Sequence, residues 1–583
     1  MSFGSQVAPL SPTTRLQTLE RFASETFDVL VIGGGVTGCG VALDAASRGL
    51  SVALVEKTDF AAGTSSRSSK LIHGGLRYLE HLDFDLVREA LAERRLLLQK
   101  IAPHLVRATP FLFPLRRRGW DRLYMGAGIA LYDALAGIHA AVPRHRHLSR
   151  TTCSRDAPAL RPDVFCGGIR YYDGQMDDAR FGVVLARTAM SYGALCASGV
   201  EVTSFLRAGE RIRGAHIRDH ESTTEFDLRA RVVVNATGVW TTAIERLAGV
   251  ENPLLVRPSK GVHLVVPRQR LDLSYALILP TEKSVLFVLP WEQWWIIGTT
   301  DTDWSFSPDQ PAATRADIDY LLDHVNQVLV SPLTSADIVG VYAGLRPLVS
   351  ASGKDTAKLS RSHQVRCSAP GLVSVAGGKY TTYRIMARDA VDAAARELDF
   401  AVDSSRTADI PLVGAVGFAS VASRLTAHPA GAVLAPEQIE HLIKRYGSLA
   451  NEVLDLVARE PDLGKPLSGA ESYLAAEIHY AASHEGARHV DDALSRRTHI
   501  AFEMPDRGRE AARAVANLMG KVLSWSDEKI EHEVTHYWAS LEAALAAESM
   551  PDDASAHSLL AREQTAETEF TQPTRHGDEC LVP

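Results

Sequence analysis

Cysteine is scarce in this 583-residue chain: Cys39, Cys153, Cys166, Cys196, Cys367 and Cys580 lie far apart, with no CxxC pair. That spacing excludes a disulfide framework and a cysteine-based metal site, and it suits reduced structural thiols. Long apolar runs are missing too. No uninterrupted stretch approaches the roughly twenty residues that a spanning helix needs. Met1–Phe22 has neither the apolar core nor the small-residue cleavage site of a secretory signal, so the expectation is a cytoplasmic chain. Positive charge is in short supply: 62 Lys and Arg against 70 Asp and Glu leave a net charge of −8, which argues against a nucleic-acid partner. No HExxH occurs. His479, His484 and His489 lie near Glu477 and Glu485, but a charged helical face needs no metal, and none is expected. Apolar residues, by contrast, make up 46% of the chain, enough for a large core divided among about three domains.

The most informative stretch is FDVLVIGGGVTGCGVALDAASRGLSVALVEK. Asp28–Ile32 reads as a buried parallel strand, Gly33-x-Gly35-x-x-Gly38 as the turn into a helix, and Ser51–Val55 as a second buried strand ending at Glu56. This is a βαβ unit with a dinucleotide fingerprint. Gly33 permits a tight turn, Gly35 lets backbone approach a pyrophosphate, and Gly38 lets helix and strand pack closely. The helix N-terminus supplies free N–H groups and positive dipole for the phosphates. Glu56, about twenty residues past the turn, is placed to accept hydrogen bonds from a ribose. A simple nicotinamide domain would continue into a further strand and helix, whereas here the polar loop AAGTSSRSSKLIHGG follows. Such a loop suits FAD: Thr64, Ser65, Ser66 and Ser69 can donate to phosphate and ribityl oxygens, and Gly74 and Gly75 let backbone lie against the ring system. RVVVNATGVW, with Gly238, and GLVSVAGGKYTTYR, with Gly377 and Gly378, read as further βα corners that return to the same sheet.

Those motifs, with SSKLIHGGLRYLE, PSKGVHLVVPR, FVLPWEQWWIIGTTDTDW, YAGLRPL and HVDDALSRRT, span Asp28 to Trp538. In them the chain resembles the FAD-dependent, quinone-linked glycerol-3-phosphate dehydrogenase family, part of the wider D-amino-acid-oxidase-like flavoproteins. SSKLIHGGLRYLE and GGKYTTYR separate that family from generic flavin oxidases; FAAGTSS stands where LACATSS is usual. The resemblance implies an α/β fold: a Rossmann-like FAD-binding domain of the D-amino-acid-oxidase-like type, an antiparallel-sheet substrate domain and a C-terminal helical domain. It implies oxidation of sn-glycerol 3-phosphate to dihydroxyacetone phosphate by hydride transfer to FAD, with electrons passing to a membrane quinone from a peripheral site on the cytoplasmic face. It also implies that His73, Arg77 and Tyr78 reach the flavin face. The oligomeric state stays open, with a homodimer among the choices. So do two other outcomes: an oxidase of the same fold that uses oxygen, and a flavin-binding structural or regulatory protein with a dead site.

Charge logic adds to this. A glycerol phosphate dianion needs fixed cations, and Arg346 in YAGLRPL, Lys379 in AGGKYTTY and Arg361 in KLSRSH join Arg77 as candidates. A base must take the hydroxyl proton; His73 comes first and His263 in KGVHLVV second. Arg346 or Lys379 would stabilise the developing alkoxide.

The rest of the chain sorts by pattern. LILPTEKSVLFVLPWEQWWIIGTTDTD reads as two or three antiparallel strands with a turn at Glu292–Gln293. From Glu437 apolar residues recur at three- and four-residue spacing, the mark of helices. The expected division is an N-terminal extension over 1–26, a discontinuous FAD domain over 27–100, 165–257 and 340–400, a substrate domain over 101–164 and 258–339, a helical domain over 405–548, and a mobile tail over 549–583. The segment Arg116–Gly137 has two readings. It is either an interfacial patch, with Arg116, Arg117, Arg118 and Arg122 toward anionic headgroups and Trp120, Leu123, Tyr124, Met125, Ile129 and Leu131 entering the membrane surface, or an internal helix covering the flavin.

Overall fold

The computed structural model describes residues 7–116, 119–137, 141–281, 285–349 and 363–571. After helix α1 (Pro12–Ser24), capped by the Ser11 hydroxyl, the chain enters β1 (Thr26–Ile32), turns into α2 (Val36–Ser47) and returns as β2 (Val52–Glu56). Valines and leucines of both strands are buried on each face, as a parallel sheet flanked by helices requires. This sheet continues in the order His363–Ala369, Leu372–Gly377, Glu225–Asn235, β1, β2, Leu195–Ser198. All neighbours are parallel except the first pair. Three carboxyl ends, those of β1, Glu225–Asn235 and Leu372–Gly377, run straight into the glycine turns at Gly33, Gly238 and Gly377.

A second, ten-stranded sheet faces those ends. Toward one end of it β3 (Val256–Pro267) pairs along most of its length with β4 (Gly340–Val349). The hairpin of Val285–Trp291 and Trp294–Gly298 turns at Glu292–Gln293, with Trp291 opposite Trp294. Helix α3 (Trp120–Leu135) lies on this sheet, with Ile129 and Tyr132 buried against it. From Thr407 onward the chain is mostly helical, with one short hairpin at Pro466–Leu467 and Ala470–Leu474.

Two expectations need correction. Leu71–Ile72, Gly167–Met176 and β4, assigned from sequence to the FAD domain, belong to the ten-stranded sheet. The chain crosses repeatedly between two sheets whose strands carry the same apolar signature, so pattern alone does not say which sheet a strand joins. Within the expected mobile tail, Asp553–Thr571 form helix α4, and residues 572–583 lie outside the described residues. The helix docks because Lys260, buried in β3, needs anionic partners and finds them in Asp317, 2.5 Å away, and in Asp553. Ala556 and Leu560 pack on Ala312 and Ala547, and the His557 ring lies 4.9 Å from that of Phe306. The N-terminal extension is likewise docked: Arg15 donates to the Ser198 carbonyl at 2.9 Å and to Asp219.

His104 is buried where the helical region joins the rest, against the backbone of Gly414 and Gly447 and beside Phe418. Burial, helped by the charge of Arg180, pulls its pKa down to about 3. The unfolded chain therefore takes a proton, near pH 6.5, that the native state refuses, and stability falls as pH drops from that value toward 3. Between pH 7 and pH 5 this residue should cost about 2 kcal/mol of stability. The expected outcome is that His104→Phe loses less melting temperature than wild type over that interval, measured by scanning calorimetry.

Candidate active site

The carboxyl ends of the first sheet and the inner face of the second enclose a cavity of about 1360 Å³. At one end the glycine turn explains itself sterically. Gly33 has φ +106°, and a Cβ on Gly38 would stand 1.8 Å from the Gly33 carbonyl oxygen, so helix α2 starts hard against β1. Gly35 caps that helix with no side chain in the way. Glu56 ties the turn together: its Oε2 accepts the Gly34 N–H at 2.7 Å and its Oε1 the Thr58 N–H at 2.9 Å. Burial pushes its pKa up, against those two N–H groups.

The serine-rich loop folds over this turn. Ser65 Oγ accepts the Val36 N–H at 3.0 Å, which leaves its proton to donate into the cavity. Thr64 lines the cavity too but gives its hydroxyl proton to the Leu345 carbonyl at 2.6 Å, so it can act there as an acceptor. Ser69 lines it with its hydroxyl 2.8 Å from His263 Nε2. Ser66 and Gly74 stand back from the wall. Gly74 is held from behind: its N–H meets the Tyr132 hydroxyl at 2.8 Å, and a Cβ would strike Leu91 and Tyr132. Gly75, at φ +77°, does line the cavity, as do Gly238, Gly377 and Gly378 at φ +58°, +78° and +78°. A cradle of bare backbone, a ribose-reaching carboxylate and a positive helix end fits a flavin dinucleotide.

The polar groups named for substrate share the same cavity. His73, Tyr78, Arg346 and Lys379 all line the cavity. The His73 backbone exchanges hydrogen bonds with the Thr381 hydroxyl at 3.1 and 3.2 Å, which fixes the two loops together. Lys379 Nζ sits 3.7 Å above the Tyr78 ring, a cation–π contact that holds the ammonium over the site. Arg346, on β4, is oriented by Ser259, Thr299, the Thr300 carbonyl and Asp301 at 3.0 to 3.3 Å. His263 does not line the cavity: it is buried behind Ser69 and stacked on Tyr342 at 4.6 Å. Burial, then the charges of Arg346 and Lys70, pull its pKa well down. The side chain of Arg77 and all of Arg361 lie outside the described residues.

Several wall residues escaped sequence reasoning. Asp301 and Thr299 come from the TTDTD end of a strand hairpin, Asp173 and Tyr171 from a strand with no motif, and Arg67, Asp491 and Arg496 from segments far apart in sequence. Asp301 and Thr299 lie in the TTDTD string, Arg67 in SSRSSK and Asp491 and Arg496 in HVDDALSRRT, so the motifs marked these segments without singling out the residues.

Glu56→Ala removes the ribose acceptor and also strands the Gly34 N–H. Loss of one or two such charge-assisted bonds should weaken FAD retention roughly 10- to 100-fold, read as flavin fluorescence released on dilution of the purified protein.

Comparison with known proteins agrees with this geometry. Residues 28–384 match the family model for FAD dependent oxidoreductases, and residues 405–530 that for the C-terminal domain of alpha-glycerophosphate oxidase. The chain is 51% identical to glycerol-3-phosphate dehydrogenase 2 of Mycobacterium tuberculosis, over 98% of this chain and 97% of that one. It is 38% identical to the mitochondrial glycerol-3-phosphate dehydrogenase of Mus musculus, over 90% of this chain and 74% of that one. The solved glycerol-3-phosphate dehydrogenase of Bacillus halodurans, complexed with FAD, superposes with a TM-score of 0.77 at 29% identity, covering 91% of this chain and 98% of that chain. The Gly33–Gly38 cradle, the polar wall beside it and a match over nearly the whole length place this chain in the FAD-dependent glycerol-3-phosphate dehydrogenase family.

Proposed function

We propose that this protein oxidises sn-glycerol 3-phosphate at C2 to dihydroxyacetone phosphate and delivers the electrons to a membrane quinone, as a peripheral protein on the cytoplasmic face. The observation that carries the first half is that Arg346, Lys379, Tyr78 and His73 all line the cavity that holds the glycine turns. Bound FAD supplies the two-electron acceptor for the hydride. Arg346 and Lys379 meet the anionic substrate, with Arg77 as a third proposed cation and Arg361 as a fourth, and hold it without rearranging, since Arg346 is already oriented by four partners. Their charge also favours the alkoxide that forms as the C2 hydroxyl gives up its proton. His73 takes that proton, because it stands at the wall, whereas His263 is screened by Ser69 and has lost basicity.

The second half rests on the surface around α3. Leu123 and Tyr124 are 70% and 55% exposed, and Leu82 on the neighbouring loop is 71% exposed, unusual values for such side chains. Ile129 is buried, so the apolar face proposed from sequence narrows to Leu123, Tyr124 and Leu131, and Arg122 is drawn inward to the Leu148 carbonyl at 3.2 Å. Arg116 is exposed, while Arg117, Arg118 and the side chain of Trp120 lie outside the described residues. Helix α3 also backs the site, through Tyr132 on Gly74, so the internal and interfacial readings describe its two faces. Among the described residues no helix is long and apolar enough to cross a membrane. Described cysteines are all free, in keeping with a reducing compartment.

Anaerobic reduction of the bound flavin by glycerol 3-phosphate tests the chemistry. His73→Asn should slow it roughly 100-fold or more, and His263→Asn much less; the opposite ranking would make His263 the base. Oxygen uptake with and without quinone then separates the dehydrogenase from an oxidase. Leu123→Glu with Tyr124→Glu should reduce cosedimentation with anionic liposomes by roughly tenfold or more, with flavin reduction in solution retained. Unchanged liposome binding would move the membrane contact elsewhere.

A further inference from the structure

Five cations line the cavity among the described residues: Lys57, Arg67, Arg346, Lys379 and Arg496. Four are accounted for. Lys57 pairs with Glu201 at 2.9 Å, Arg346 is held by Asp301 and its neighbours, and Lys379 rides on Tyr78. Arg496 is saturated by three carboxylates, Asp59 at 2.6 Å, Asp491 at 2.8 Å and Asp492 at 2.5 Å. Arg67 is different. It is half-buried, and among the described residues its guanidinium makes no hydrogen bond and no ion pair. Burial, and then the charge of nearby Arg496, pull its pKa down, while the charge of Asp491 opposes them. Asp491 already accepts from Ser495 and Arg496. Its N–H donors therefore stay available to an anionic acceptor bound in the cavity.

Position says which anion. Arg67 follows Ser65 by two residues, about 7 Å of chain, and Ser65 Oγ is itself bonded to Val36 in the first turn of α2. An arginine side chain spans the remaining distance to that helix end, where a dinucleotide's diphosphate lies. The turn cannot neutralise two phosphate charges alone: the Gly34 and Val36 N–H groups are already given to Glu56 and Ser65, and a helix end offers only about half a charge. We propose that Arg67 is the counter-charge and bidentate ligand of the FAD diphosphate. The helical domain supports it: Arg496 and Arg497 clamp Asp59 on the loop after β2, with Arg497 bonded to both Asp59 oxygens at 2.7 Å, and Asp491 faces Arg67. That domain thereby completes the cofactor site rather than merely flanking it.

Retention of FAD by the full-length holoenzyme tests this, by flavin fluorescence on serial dilution at low and high salt. Arg67→Ala should raise the FAD dissociation constant roughly 10- to 100-fold and flatten its salt dependence, with Arg67→Lys between it and wild type. The melting temperature should fall in the presence of FAD and not in its absence, because no partner among the described residues is lost. FAD retention within twofold of wild type overturns the proposal, as does a melting temperature that falls equally without FAD, which marks a structural role. A raised half-saturation for glycerol 3-phosphate with FAD retention unmoved would also overturn it, by making the substrate phosphate the anion.

Discussion

One close approach governs the architecture: the Gly33 carbonyl stands where any side chain at residue 38 would have to be. Because nothing fills that space, α2 begins directly at the end of β1, and its unpaired N–H groups point into the gap between the two sheets. The same economy recurs at Gly238 and Gly377, where strands of the same sheet end in positive-φ turns. Three bare corners side by side leave a trough of backbone long enough for an extended dinucleotide. The second sheet roofs it, with Arg346 on β4, while Lys379 follows the Gly377–Gly378 corner, so both sheets contribute to the walls of one cavity.

Buried ion pairs then lock distant segments around that trough. Lys70 meets Asp178 at 2.5 Å, Arg180 meets Glu485 at 2.7 Å, Arg497 meets Asp59 at 2.7 Å, and Lys260 meets Asp317 and Asp553. Such pairs add little net stability over apolar packing, but removing one partner typically costs about 3–5 kcal/mol. Their effect is to specify which segment sits where. His489 does the same at the surface: against the downward pull of burial, hydrogen bonds to Glu221 and Glu533 push its pKa up to about 10, and the cation bridges a strand hairpin of the FAD domain to a C-terminal helix. Nearby, Glu477 pairs with His441 and Glu485 with Arg180.

Local physics made much of this legible in sequence. The βαβ turn, Glu56 and the flavin itself follow from residue types at fixed spacing within about thirty positions, because strand, turn and helix are decided by neighbours along the chain. The antiparallel hairpin with its turn at Glu292–Gln293 is local in the same sense. Tertiary structure alone decided the rest. It assigned Leu71–Ile72, Gly167–Met176 and β4 to the second sheet, folded α4 onto Lys260, set His73 at the wall with His263 behind Ser69, and brought Arg67 beside Asp491 and Arg496. Those outcomes depend on contacts between residues hundreds of positions apart and on how burial and nearby charge shift a group's chemistry, and neither quantity exists until the chain has closed on itself.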